Sequence, residues 1–286
     1  MEEYDLGSIS GHVVGRVLKE TMRRATVAIR SERASFEAHT KQSYSGTMDD
    51  VFTSADTRAQ QIYLQAFQEC FPNCGVIGEE DSLVIEPASG CNAYFTVDPL
   101  DGTKAFVRRQ SDGVGTMVAL VYDGKIISAY VGDINTEEVY GYRPGSDHVH
   151  RITRLDTFEV LRKEESSDAR KKHALLRNPI HFYSPAAQKL ISQFKNYEVI
   201  GSSIGTWMAR LWKREVGAVF MEPGWETPWD TTPIIGISQK LGYVFLRPKT
   251  SQDGWEEYLP IISKVKYQRE HETMVIHKDD LGSLSL

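Results

Sequence analysis

The chain has 286 residues, of which 41% are hydrophobic, so it can bury a sizeable core in one large domain or two modest ones. Acidic residues outnumber basic ones by 39 to 33 and no basic stripe stands out, which argues against nucleic acid as the main partner. No apolar run reaches membrane-spanning length, and the first residues lack a basic-then-apolar signal. Cys70, Cys74 and Cys91 are odd in number and form no Cys-x-x-Cys pair. We therefore expect reduced thiols in a cytoplasmic protein without membrane contact.

Two helices are predicted near the start of the chain. Residues 8 to about 38 carry apolar residues at helical spacing, which predicts a long amphipathic helix. Ser54 is a plausible N-cap for a second helix that ends at Pro72. Residues 75–77 then predict a short strand.

The middle of the chain is rich in strand patterns. Residues 93–97 predict a buried strand that ends at Asp98, because Pro99 cannot donate to a ladder. Residues 114–122 and 125–131 predict a hairpin, since Asp-Gly is a strong turn signal between two strand patterns. A further strand is expected at 139–142.

Strands and helices alternate in the second half, which favours a mixed α/β arrangement there. The charge run from Arg162 to Lys172 is a natural seam, and we expect an N-terminal α+β half (1–153), a C-terminal α/β half (154–286) and a cleft between them. The tail after Pro248 has no assigned role. The predicted elements are helices at 185–194, 203–214 and 230–240 and strands at 198–200, 218–221 and 243–245.

The segment from Val97 to Thr103 packs two carboxylates, a carbonyl and a hydroxyl into one turn. Asp98 and Asp101 stand three residues apart, so their side chains can converge on one point. Gly102 lets the backbone approach a ligand closely, and the Gly102 and Thr103 amides can bind an anion. Hard oxygen ligands beside an anion pocket describe a magnesium and phosphate site. Taken alone, the segment is better explained as an Asx-turn after a strand.

Three other acidic segments could complete such a site. Glu79 follows the short strand and can reach towards the Asp98 turn, although Glu-Glu-Asp runs are commonly solvated loops. Asp230 stands at a helix start, where N-capping is the ordinary role of an Asp. The segment from Asp50 to Asp56 precedes the second helix, and capping also explains one of its carboxylates.

These segments occur together in an order and spacing that resemble the inositol monophosphatase superfamily of magnesium-dependent, lithium-sensitive phosphatases. A further similar piece is the turn Gly201-Ser202-Ser203. The resemblance extends from the first helix to about residue 246. It implies an α+β fold, a five-layer αβαβα sandwich, and a homodimer.

The resemblance also implies roles for individual residues. Asp50 would orient Thr103, which would position or deprotonate the water that attacks phosphorus. Two or three Mg²⁺ ions would neutralise the ester and hold the attacking oxygen. The implied cation ligands are Glu79, Asp98, the Leu100 carbonyl, Asp101 and Asp230, and the implied substrate-binding residues are Gly102, Thr103, Ser203 and Glu222.

The substrate stays open among several small phosphate esters. Glu222 falls where the family places a Glu that binds polyol hydroxyls, which favours an inositol monophosphate-like substrate. Lys104 departs from the inositol enzymes and is more similar to the bisphosphate nucleotidase and histidinol-phosphatase branches. A sugar bisphosphatase would need basic residues at the mouth, for which Arg177, Lys172 and Arg210 are the candidates. A non-catalytic relative that binds protein or RNA is the alternative outside enzymes.

Overall fold

The computed structural model of the protein describes residues 10–41, 50–161, 168–250 and 254–286. Residues 8 and 9 of the predicted first helix and residues 162–167 of the charge run lie outside these ranges. The elements before the seam are α1 (Gly11–Glu32), β1 (Ala38–Lys41), β2 (Asp50–Thr53), α2 (Ser54–Cys70), β3 (Gly75–Gly78), β4 (Val84–Ile85), β5 (Ala93–Asp101), α3 (Thr103–Val107), β6 (Gly115–Tyr122), β7 (Lys125–Asp133), β8 (Glu138–Tyr142), β9 (His150–Ile152) and β10 (Phe158–Val160). Those after it are β11 (His173–Leu176), α4 (Pro185–Ile191), β12 (Asn196–Val199), α5 (Ile204–Trp212), β13 (Ala218–Met221), β14 (Gly224–Glu226), α6 (Pro228–Lys240), β15 (Tyr243–Pro248), β16 (Trp255–Tyr258), β17 (Tyr267–Arg269) and β18 (Thr273–His277).

The first two helices differ from their predicted bounds. Helix α1 ends at Glu32, so the predicted extension to residue 38 is wrong. Residues 33–37 form a turn and a short loop, and Ala38 begins β1, which pairs with β2 and so satisfies its backbone groups in a ladder. Helix α2 is capped by Thr53 rather than Ser54, since the Thr53 hydroxyl and the Asp56 carboxylate form a reciprocal capping box.

The first sheet has eight strands in the order β10-β9-β8-β7-β6-β5-β3-β4. Neighbouring strands are antiparallel except β3 and β5, which run parallel. The predicted hairpin between β6 and β7 is confirmed, and its turn residues Asp123 and Gly124 both have positive φ, as a tight hairpin turn requires. Strand β10 extends this sheet to Val160, beyond the predicted division of the chain after residue 153.

Strand β5 does not end at Asp98 as predicted but continues to Asp101. Its ladder with β6 pairs Asp98 with Met117 and Asp101 with Gly115, so β5 contains one extra residue between the two pairs. Pro99 is tolerated because a bulge needs no donor from it. Residues three apart in a regular strand face opposite sides of the sheet, and the extra residue brings both carboxylates to one side.

The second sheet has six strands in the order β12-β11-β13-β18-β15-β16. The predicted alternation of strands and helices in this half is confirmed. The tail after Pro248 is an integral part of it, because β18 lies between β13 and β15 and β16 pairs with β15. Strand β17 leaves the sheet and pairs with β14, next to the start of α6.

In the described residues, three large clusters and one small cluster of buried apolar side chains lie between the layers. Helices α1 and α2 cover one face of the first sheet. Helices α5 and α6 lie between the two sheets. Helix α4 and the C-terminal turn cover the outer face of the second sheet. The fold is therefore the expected α+β sandwich in the order αβαβα. Among the helices of the described residues, none has the length and apolar character that crossing a bilayer requires.

Candidate active site

Three carboxylates meet where the two halves of the sandwich face each other. Asp98 and Asp101 come from the β5 bulge, and Asp230 lies in the first turn of α6. An oxygen of each lies within 4.8 Å of the others. Thr227 caps α6 and donates from its hydroxyl to Asp230 Oδ2 at 2.7 Å, which orients that carboxylate. The structure thus brings together the three aspartates that the sequence predicted as metal ligands.

Asp101 is also tied to the start of α5. Its Oδ2 accepts hydrogen bonds from the Ser203 hydroxyl and from the Gly205 amide at 2.8 Å, and Oδ1 accepts from the Ile204 amide at 3.2 Å. Ser203 has no solvent exposure. The structure does not support the predicted substrate contact of Ser203, because its hydroxyl is buried and committed to Asp101. Ser203 instead fixes the position of a predicted metal ligand.

Glu79 extends the acidic cluster towards β1. Its negative charge raises the pKa of Asp98, which indicates that the two carboxylates lie close together. On the other side, Glu79 Oε1 lies 3.1 Å from Lys41 Nζ, which also contacts Glu80 Oε1 at 2.7 Å. Burial opposes the charged form of Lys41, but the carboxylates of Glu79 and Glu80 outweigh it and raise the lysine pKa. No local sequence pattern indicates this contact of Lys41.

The carboxylates of the cluster have raised pKa values. Burial raises the pKa of Asp101 and of Asp230 to about 6 and that of Glu79 to about 7. Burial and the neighbouring carboxylates raise the pKa of Asp98 well above its ordinary value. Buried carboxylates that repel one another favour a bound cation, and an all-oxygen donor set suits Mg²⁺. The residues present therefore fit a magnesium centre.

Thr103 forms the second part of the site, and its partner is Asp56. Thr103 Oγ1 lies 3.1 Å from Asp56 Oδ1 and 3.1 Å from the Leu100 carbonyl oxygen. Asp50 lies in β2, where its Oδ1 accepts a hydrogen bond from the Val51 amide, and its predicted pairing with Thr103 stays a prediction.

The capping box explains why Asp56 takes this place. Its Oδ2 accepts from the Thr53 amide at 2.8 Å and from the Thr53 hydroxyl at 2.6 Å, which leaves Oδ1 for Thr103. Burial raises the pKa of Asp56 to about 6. The Thr-x-x-Asp spacing at residues 53–56 was the sequence signal that could have identified it.

Gly102 is required by the packing at the bulge. Its φ is +87°, and a Cβ would lie 2.3 Å from the Gly113 carbonyl and 3.0 Å from the Ser203 amide. No side chain fits there without moving the backbone. Gly102 thereby allows α3 to begin at Thr103, directly beside the acidic cluster.

The predicted polyol residue Glu222 follows β13 at the edge where parallel strands β11 and β13 both end. Its side chain accepts hydrogen bonds from Asn178 and from the Tyr183 hydroxyl. Arg177 follows β11, and its positive charge lowers the pKa of Asp230, so it faces the cluster.

The other two basic candidates are engaged elsewhere. Lys172 Nζ contacts the Arg214 carbonyl, and Arg210 pairs with Glu198 and Glu215. Of the three predicted candidates, Arg177 is the one with an electrostatic effect on the cluster.

Comparison with known proteins agrees with this arrangement. A 3'(2'),5'-bisphosphate nucleotidase CysQ of Salmonella typhimurium is 34% identical over 83 residues, which are 29% of this chain and 33% of the relative. A histidinol-phosphatase of Chlorobaculum parvum is 31% identical over 114 residues, or 39% of this chain and 41% of the relative. The chain thus matches less than half the length of these curated relatives.

Similarity over the whole fold is found with solved structures. An IMPase/NADP phosphatase complexed with Mg²⁺ and phosphate superposes with a TM-score of 0.69 at 17% identity, covering 94% of this chain and 92% of that one. The profile of the inositol monophosphatase family matches residues 12–280, which extends beyond the expected limit near residue 246 and includes the tail strands. The chain belongs to the inositol monophosphatase family.

Proposed function

We propose that this protein is a magnesium-dependent phosphomonoesterase that hydrolyses a small phosphorylated metabolite. The observation that carries the proposal is the joint presence of the Asp98–Asp101–Asp230 cluster and the Thr103–Asp56 pair in one site. Phosphate monoesters resist attack because their oxygens are already negative, so a hydrolase needs cations at the phosphate and a group that takes a proton from water. The acidic cluster can bind the cations, and the Thr103–Asp56 pair can take the proton.

Asp98, Asp101 and Asp230 would hold Mg²⁺, together with Glu79 and the Leu100 carbonyl. When bound, Mg²⁺ neutralises the phosphate oxygens and lowers the pKa of the attacking water. The Mg²⁺ and phosphate of the similar solved structure support this assignment. Two or three ions per site are part of the proposal.

Thr103 and Asp56 would accept the proton of the attacking water. As the water oxygen bonds to phosphorus, its proton passes to Thr103 Oγ1, whose own proton passes to Asp56 Oδ1 over the 3.1 Å contact. The bond from phosphorus to the ester oxygen breaks, and the leaving oxygen takes a proton from solvent. With a pKa of about 6, Asp56 is mostly ionised at neutral pH and can accept the proton.

For the substrate, we propose an inositol monophosphate-like polyol phosphate. The Gly102 and Thr103 amides at the start of α3 would bind the phosphate oxygens, and Glu222, oriented by Asn178 and Tyr183, would accept hydrogen bonds from the polyol hydroxyls. A homodimer located in the cytoplasm belongs to the same proposal and rests on the family resemblance and on the cysteine pattern.

A 3′(2′),5′-bisphosphate nucleotidase is the second candidate, and Arg177 favours it. This exposed side chain faces the acidic cluster, where it could bind a second phosphate group. The CysQ relative supports the same candidate. Histidinol phosphatase activity has the support of the Chlorobaculum relative.

The test is hydrolysis of inositol 1-phosphate, histidinol phosphate, adenosine 3′,5′-bisphosphate and fructose 1,6-bisphosphate, each with Mg²⁺ and with EDTA. We expect Mg²⁺-dependent release of phosphate from at least one ester. Asp98→Asn should lower that rate by at least about a hundredfold, the scale of losing a main electrostatic contributor. Asp147→Asn, an exposed residue outside the cluster, is the matched control.

Two results would contradict the proposal. If the Asp98→Asn protein kept full activity, the acidic cluster would not take part in ester hydrolysis. A wild-type protein that binds Mg²⁺ yet hydrolyses none of the esters would favour a non-catalytic relative that binds protein or RNA.

A further inference from the structure

A cavity of about 340 Å³ lies between α1 and strands β7 to β9. Five of its lining side chains are basic or can become so, and three others offer a hydroxyl group or an aromatic ring. The basic residues are His12, Arg16, Lys19, Arg143 and His150, and the others are Tyr130, Ser146 and Phe158.

This cavity is separated from the acidic cluster by the first sheet. Tyr130 of β7 belongs to the core between that sheet and helices α1 and α2. Its neighbours Ala129 and Val131 face the opposite core, between the sheet and helices α5 and α6. Asp230 starts α6 and Asp101 is bonded to α5, so the cluster lies with those helices. A ligand in the cavity would therefore not touch the proposed catalytic residues.

The lining of the cavity is basic. Among the described residues, no Asp or Glu lines it. Within the described residues, Arg16, Lys19 and Arg143 have no carboxylate oxygen within 4.0 Å. Arg143 donates to the carbonyl of Pro144 at 3.0 Å, and the Lys19 ammonium lies 4.5 Å from the centre of the Phe158 ring.

Arg16 and Lys19 also line a neighbouring groove on α1, which contains the carboxylates of Glu20, Glu69 and Asp156. Asp156 is paired with Arg23. Burial lowers the pKa of Lys19 and the charges of Arg23 and Arg16 lower it further, and this outweighs the opposing effect of Asp156 and Glu20. In a chain of net charge −6, like charges held together in this way favour an anionic ligand.

The close packing of α1 creates this concentration of charge. A Cβ on Gly15 would lie 2.6 Å from the Arg143 Cβ, and one on Gly11 would lie 2.5 Å from the Pro144 carbonyl. The two glycines let the helix approach the 143–144 segment, so Arg16 and Arg143 line the same space.

We propose that this cavity is a second anion site that binds a phosphate dianion, either as inorganic phosphate or as the phosphate group of a small ester. Guanidinium groups suit this ligand because they donate two parallel hydrogen bonds to phosphate oxygens, and Lys19 adds a compact charge. The Tyr130 hydroxyl can donate a further bond. The inference does not depend on the proposed catalytic function.

Calorimetric titration of the full-length protein in EDTA tests the site. Without divalent cations, the acidic cluster repels phosphate, so binding reports on the basic cavity. The probes are inorganic phosphate and glycerol 1-phosphate at constant ionic strength in chloride. We expect both to bind the wild-type protein, and the tighter of the two identifies the source of the dianion.

An Arg16→Gln/Arg143→Gln variant should bind the tighter probe at least about tenfold more weakly, since two charge-assisted contacts are lost. Arg24→Gln, an exposed change on the same helix outside this cavity, should bind like the wild type. Thermal melts in chloride check folding, and Lys19→Met replaces the double variant if that one does not fold.

The inference is overturned if the wild-type protein binds neither probe, or if the double and Lys19→Met variants bind as tightly as Arg24→Gln. Phosphatase activity with Mg²⁺ is measured separately on the wild-type protein. Failure of that activity would count against the catalytic proposal and leave the anion site unaffected.

Discussion

At the scale of single residues, Asp56 combines the role of a helix cap with the proton-accepting role that we propose for it. One carboxylate oxygen closes the capping box with Thr53, and the other accepts from Thr103. The cap fixes the side chain at no further entropic cost, because the same bonds are needed to start α2. The aspartate six residues earlier, Asp50, has the same charge but lies in a strand, where its Oδ1 accepts from the Val51 amide.

The two aspartates form a matched pair of variants. We expect Asp56→Asn to lower the rate of ester hydrolysis by about 10² to 10⁴, the range for loss of a general base, because an amide cannot accept the Thr103 proton. Asp50→Asn should stay close to the wild-type rate. Steady-state kinetics with Mg²⁺ measure both, and thermal melts check the loss of cap stability in Asp56→Asn. If Asp50→Asn is much less active than Asp56→Asn, Asp50 and not Asp56 is the partner of Thr103.

At the scale of elements, the two-stranded ribbon of β14 and β17 shapes the mouth of the site. Arg269 on β17 is buried and donates to Glu226 Oε1 at 2.6 Å and to the Glu222 carbonyl at 2.9 Å. Glu226 also accepts from the Thr231 hydroxyl at 3.1 Å. A single guanidinium therefore links the segment that carries Glu222 to the start of the helix that carries Asp230.

Arg269→Gln should destabilise the protein by roughly 3–5 kcal/mol, because it leaves the Glu226 carboxylate buried without its partner. Arg247→Gln breaks the exposed pair with Glu256 and should cost only about 0–1 kcal/mol. Urea unfolding of both variants gives the comparison. If Arg269→Gln is no more destabilising than Arg247→Gln, the buried pair does not hold the ribbon in place.

The sequence was sufficient for the acidic cluster but not for these supporting contacts. Asp98, Asp101 and Asp230 could be predicted because the order and spacing of the acidic segments together resemble the family, whereas each segment alone is compatible with a turn or a helix cap. The continuation of β5 past Pro99 depends on the register with β6, which no local pattern encodes. The pairing of β17 with β14 joins segments about forty residues apart and is equally invisible in a local reading.

At the scale of the whole molecule, the acidic cluster connects stability to pH. The folded protein holds Asp101 and Asp230 at a pKa of about 6 and Glu79 at about 7, above the ordinary values of 3.8 and 4.5. A carboxyl with a raised pKa binds its proton more tightly in the folded state. It therefore adds stability as the pH falls through 7 towards 4 and loses that stability as the pH rises.

In EDTA, the melting temperature should be higher by a few degrees at pH 5.5 than at pH 8, since each pKa unit is worth about 1.4 kcal/mol. Mg²⁺ should raise the melting temperature more at pH 8 than at pH 5.5, because protons and the cation compete for the same oxygens. Differential scanning calorimetry measures both effects, and Asp98→Asn should reduce them. A melting temperature that rises with pH in EDTA would contradict the assignment.

The central place of β18 in the second sheet has a consequence for biosynthesis. β13 and β15 are hydrogen-bonded to β18 and not to each other, although the chain makes β18 about thirty residues after β15 begins. While residues 273–277 are still inside the ribosome, the facing edges of β13 and β15 lack a partner and can pair with other chains. Helix α6 packs against the same core as Val275, so Asp230 gains its final support only then. We therefore expect the proposed centre to reach its final form only after β18 has emerged.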